Sequence, residues 1–78
     1  MKTSAININP NILSGTPVFT GTRVPVESLF DHLERGISID EFLEDFPTVS
    51  KEQAVQVLAL AGRIVSSKNL DQFNAIAS

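Results

Sequence analysis

The sequence predicts a mainly α protein: a three-helix bundle preceded by a short N-terminal β arm or hairpin. Three observations carry that expectation. Apolar residues recur at i, i+3, i+4 and i+7 in two successive segments, two serines open capping boxes, and the first 26 residues alternate or break at Gly and Pro in the manner of strands and turns.

Taken in order, Ile6 and Ile8 alternate with Asn7 and predict a short strand, and Asn9-Pro10-Asn11 then reads as a turn. Val18-Phe19 and Thr22-Arg23-Val24 flank Gly21, which predicts a short hairpin or a bent extended arm. Pro25 suits the first turn of a helix, where its missing N–H costs nothing, and Val26, Leu29, Phe30 and Leu33 fall on one face until Gly36 stops the run. Ser38 with Glu41 forms a capping box for a second helix whose apolar face is Ile39, Phe42, Leu43 and Phe46 and which Pro47 ends. Ser50 with Gln53 forms another, opening a third helix that carries Ala54, Val55, Val57, Leu58, Ala61, Ile64 and Val65. At about 1.5 Å per residue it is roughly 25 Å long. This helix reads as buried on two sides, so its second face is expected against another chain. Residues 1–66 are therefore read as a single domain and 67–78 as a tail, a short helix or a flexible segment.

The 78 residues include no cysteine, so no disulfide or thiolate zinc site staples the chain, and a cytoplasmic address is expected. No apolar run approaches the length of a membrane span, and a domain this small is expected to form a homodimer or higher oligomer. The net charge of −3 is unevenly spread: residues 1–26 carry Lys2 and Arg23 and no acid, whereas residues 27–45 hold seven acids against Arg35. Such a band repels nucleic acid, so any duplex contact must be local.

Arg23, in an extended segment just before the first helix, is the side chain best suited to a phosphate or a partner carboxylate. The favoured reading is nevertheless an intrachain pair with one of the acids of 27–45. The short connection through Pro47-Thr48-Val49 is close to a helix-turn-helix turn, which makes the start of the third helix the candidate DNA surface: Thr48, Ser50, Lys51, Gln53 and Gln56, with Arg23. Leu70, Phe73 and Ile76, spaced by three, are candidates for docking on a partner or on this bundle. Gly15 and Gly21 lack the lysine and spacing of a phosphate loop, and the clustered acids Asp40, Glu41, Glu44 and Asp45 have no histidine among them, so they read as a solvated face. His32 reads as surface or edge packing. No catalytic residue, metal or cofactor is called for, and an enzyme is the least favoured class.

Three separated motifs then agree in order and spacing. They are Gly15 and Pro17 with Gly21-Thr22-Arg23-Val24-Pro25-Val26, Gly36-Ile37-Ser38 with Glu41, and Asp45-Phe46-Pro47-Thr48-Val49. Over about residues 6–60 the chain resembles the bacterial domain-of-unknown-function 433 family. The resemblance implies a homeodomain-like, helix-turn-helix trihelical fold with an N-terminal β arm. It also implies an antitoxin-like role in toxin-antitoxin modules, as a dimer that neutralises a PIN-type toxin encoded by the adjacent gene and binds promoter double-stranded DNA. The alternatives kept open are a stand-alone DNA-binding module and a protein-only adaptor.

Overall fold

The computed structural model describes residues 5–67. Its elements run β1 (Ile6–Asn7), a 3-10 turn (Leu13–Gly15), β2 (Val18–Phe19), α1 (Val26–Glu34), α2 (Ile39–Asp45) and α3 (Lys51–Val65). This is the expected three-helix arrangement with an N-terminal β arm.

The arm closes within its own chain. β1 and β2 pair antiparallel, Ile6 opposite Phe19 and Asn7 opposite Val18, and the Thr20 N–H adds a bond to the Ala5 carbonyl at 2.9 Å. On its other side Val18 bridges Pro25, bracketed by Phe19 N–H to the Val24 carbonyl and Val26 N–H to the Pro17 carbonyl, both 3.0 Å. Residues 22–24 are thus a return rather than a strand, the bent form of the expected arm. A two-stranded ribbon this short has no independent stability. It is held because Val18 and Phe19 are fully buried, Phe19 under the helices.

Pro25 sits one place earlier than the first-turn position expected of it. It is the N-cap residue, with φ −63° and ψ 139°, because its backbone stays extended to bridge Val18 before the helix begins at Val26. α1 ends in a Schellman motif: the Gly36 N–H donates to the Leu33 carbonyl at 3.0 Å and the Ile37 N–H to the His32 carbonyl at 2.9 Å. Gly36 holds φ +79°, a value that costs other residues about 1–2 kcal/mol.

Both capping boxes form. The Ser38 hydroxyl accepts from the Glu41 N–H at 3.1 Å and the Glu41 carboxylate accepts from the Ser38 N–H at 3.3 Å; Ser50 and Gln53 repeat the exchange with both bonds at 3.0 Å. Between these capped helices lies the core: Phe19, Leu29, Phe42, Val49, Ala54 and Val57, with Val24, Val26, Phe30, Leu33, Ile39, Leu43, Phe46 and Leu58 packed around it. Phe42 is its centre, tilted against Phe19 at 5.9 Å and against Phe46 at 5.1 Å between ring centroids.

Of the two sides of α3 expected to be buried, one packs within the chain and the other is expected against a second chain. Among the described residues α3 is covered on one side, by way of Ala54 and Val57 with Gln53, Leu58 and Ala61 half-buried, whereas Val55, Leu60, Ile64 and Val65 are exposed. α1 and α2 are too short to reach its far end or its outer face. A feature with no sequence signal lies in the loop before β2, where Leu13 and Ser14 both adopt positive φ, 49° and 57°. The Asn9 side chain starts that loop by accepting from the Asn11 N–H at 2.8 Å, and the Ile12 N–H closes the turn on the Asn9 carbonyl at 2.8 Å, as Asn9-Pro10-Asn11 predicts.

Candidate functional site

The Gly-Thr-Arg stretch has a physical account. Phe19 to Thr22 form a β-turn, closed by the Thr22 N–H on the Phe19 carbonyl at 3.0 Å, and Gly21 takes φ +80° at the third position, where a type II turn requires a positive angle. The Thr22 hydroxyl then works twice, donating to the Phe19 carbonyl at 2.8 Å and accepting from the Val24 N–H at 3.0 Å. The glycine permits the turn, the threonine locks it, and the arginine that follows is held outward on a fixed backbone.

Arg23 is exposed, and among the described residues it makes no ion pair with any acid of 27–45. The expected intrachain pair is therefore corrected. The contacts that acids of 27–45 do make use other side chains: His32 with Asp45 at 3.2 Å and Lys51 with Asp40 at 4.0 Å. Arg23 departs from the core at the turn, and Val24 and Pro25, which follow it, are occupied in closing the arm onto β2.

The turn is tied to α3. The Gln53 side-chain amide donates to the Thr20 carbonyl at 2.8 Å while its oxygen completes the capping box with Ser50. One residue thus clasps the Arg23 turn to the first turn of the third helix across 33 positions. Of the residues proposed for DNA, Arg23 and the start of α3 are therefore brought to one end of the molecule. Their availability differs. Gln53 has both ends of its amide engaged within the chain, and the Ser50 hydroxyl caps the helix. Thr48, Lys51 and Gln56 are exposed. Lys51 faces Asp40 across solvent, a contact with both side chains more than two-thirds exposed and so worth little, but one that sets a negative charge beside the helix start. Leu70, Phe73 and Ile76 lie outside the described residues.

The exposed surfaces of α1 and α2 are acidic. Glu27, Asp31 and Glu34 on α1 and Asp40, Glu41, Glu44 and Asp45 on α2 are all exposed. His32 is the one ring set among them: half-buried, edge-on to Phe42 at 5.2 Å and to Phe46 at 5.7 Å, with Nδ1 2.8 Å from the Ser28 carbonyl and Nε2 3.2 Å from the Asp45 carboxylate. The edge packing expected of it is present, and the link to Asp45, which pins α1 to α2, is additional. Among the described residues no three His, Cys, Asp or Glu side chains are grouped to hold a metal ion, and no helix is long and apolar enough to cross a membrane.

The described residues thus form a small, mostly helical unit that fixes an arginine-bearing turn against the capped start of its longest helix. The chain belongs to the family described as protein of unknown function (DUF433), which matches residues 6–61. It is similar to the uncharacterized protein y4eO of Sinorhizobium fredii, with 40% identity over 48 residues, 62% of this chain and 22% of that protein. The chain thus matches less than a quarter of the length of that relative. No solved structure matches significantly.

What sequence reasoning missed is the pair of hydrogen bonds made by the Thr22 hydroxyl and the bond from Gln53 to Thr20. Thr22 had a local signal, since a hydroxyl two positions before an N–H and three after a carbonyl can bond both. Gln53 had none beyond its capping role, because Thr20 is distant in sequence.

Proposed function

We propose that this protein is an antitoxin-like regulator that works as a dimer, binding a PIN-type toxin encoded by the adjacent gene through the Arg23 turn and, secondarily, promoter DNA. The observation that carries the reading is Arg23 itself: a guanidinium on a turn locked by Thr22, exposed and in no ion pair among the described residues. A fixed guanidinium makes strong, bidentate bonds to a carboxylate or phosphate. Nucleases that act through metal ions gather carboxylate oxygens around them, and a displayed arginine fits that chemistry. A carboxylate partner can be held by one such pair. Duplex affinity instead grows with the number of phosphates neutralised, and the exposed acids of α1 and α2 oppose it.

The test is co-expression with the product of the adjacent gene. The expected outcome is a toxic neighbour, relieved by this chain and co-purified with it, with Arg23→Ala weakening the complex at least about tenfold, the loss of one charge-assisted bidentate contact. A harmless neighbour, or a complex indifferent to Arg23, removes the reading.

DNA binding is favoured by one feature, the exposed Thr48, Lys51 and Gln56 at the start of a helix that follows a tight turn. Promoter binding through that end predicts a salt dependence whose slope falls by about one for each of Arg23→Ala and Lys51→Ala. An unchanged slope excludes both residues. If no duplex is retained even at low salt, the protein-only adaptor is the remaining reading.

A further inference from the structure

The outer face of α3 carries more than an amphipathic helix of a monomer needs. Opposite the buried Ala54 and Val57 lie Glu52, Val55, Gln56, Ala59 and Arg63, all exposed, with exposed Leu60 on the flank. Val55 is 49% exposed and Leu60 38%, so two large apolar side chains stand in water between two opposite charges. Glu52 and Arg63 are eleven residues apart, which on an α-helix is about 16 Å along the axis and only about 20° around it. Neither has an ion-pair partner among the described residues.

We infer that this face pairs with a second copy of the chain, α3 against α3, antiparallel, about a twofold axis level with Val57 and Leu58. In that register Glu52 of each copy lies opposite Arg63 of the other, and Gln56 lies opposite Ala59, while Val55 and Leu60 of both copies are withdrawn from water. A C2 contact must be self-complementary, and this face is. The parallel alternative sets Glu52 against Glu52 and Arg63 against Arg63. Each charge also suits its own helix end, negative at the N-terminus and positive at the C-terminus. That preference does not account for the exposed Val55 and Leu60 between them, and the antiparallel pair accounts for all four residues together. The small side chains of Ala59 and Gly62 let the helices approach.

The pairing supplies the dimer that the antitoxin-like reading calls for, and it leaves the Arg23 turn outside the contact. It also covers Gln56, so the same helix cannot read a base with Gln56 while paired. The two readings therefore fail separately: Arg23→Ala is expected to leave the dimer intact, and loss of the toxin reading leaves the pairing standing.

The experiment is the mass of the full chain in solution by light scattering or sedimentation equilibrium, for the wild type, Glu52→Arg, Arg63→Glu and the double exchange. These positions are exposed, and helical circular dichroism verifies that each variant is folded. The expected result is the mass of two 8.5 kDa chains for the wild type, monomer for either single reversal, which sets like charges face to face, and dimer regained in the double exchange. A wild type that is monomeric at its highest soluble concentration overturns the inference. So does a dimer indifferent to both single reversals, or a double exchange that stays monomeric.

Discussion

The two halves of α3 both carry apolar residues but differ in how these are covered. The first half begins at a capping box, buries Ala54 and Val57 completely or nearly so, and is clasped to the β arm through Gln53. The second half is the more apolar, with Ala59, Leu60, Ala61, Ile64 and Val65, yet of residues 59–66 only Ala61 is even half-buried. Apolar character says that a side chain gains from being covered; whether it is covered depends on what the rest of the chain can bring across. Here α1 and α2 reach the first half of the helix and stop.

That contrast can be broken or sharpened by substitution. The largest effect belongs to Phe42, which the first half of α3 helps to enclose: Phe42→Ala should cost about 3–5 kcal/mol, enough to leave a domain of this size largely unfolded by urea titration. Next comes Gly36→Ala, which forces a side chain into the left-handed C-cap that turns the chain towards α2; a loss of about 1–2 kcal/mol is expected by thermal or urea unfolding. Ser50→Ala removes the cap of α3 and should cost about 1 kcal/mol, with amide exchange rising first in residues 51–54. At the small end, Val65→Ala in the second half should change stability by less than about 0.5 kcal/mol. A loss of 2 kcal/mol or so there would show that the far half is covered in solution and would remove the contrast.

Much of this fold was legible because its signals are local. Capping boxes, a glycine stop and a 3.6-residue period each involve residues within four or so of one another, so Ser38, Gly36 and Ser50 predict their helix ends from neighbours alone. The candidate site was less so. Arg23 was expected to find an acid because seven follow it closely, but sequence proximity does not give direction, and the Thr22-locked turn carries it away from them. Gln53 is legible as a capping residue, but its second partner, Thr20, lies 33 positions away and leaves no local signal. Leu13 and Ser14 have no preference for positive φ, and the loop imposes it on them in leading from the Asn9 turn to β2.

The Gln53–Thr20 bond also has a bearing on the order in which the molecule assembles. The caps and turns of α1, α2 and α3 close over a few residues, whereas this bond closes a loop of 33 positions and must wait for both its ends. Non-local closures are slow to form. The helices are therefore expected to associate first and the arm to dock last, so that Gln53→Glu, which keeps the capping-box acceptor and loses the donor to Thr20, speeds unfolding while hardly altering the folding rate, a φ-value near zero in stopped-flow chevrons. A φ-value near one would instead place the arm in the nucleus. If the arm is last on, it is also first off, and the Arg23 turn then rides on a segment that can be released while the helices remain together.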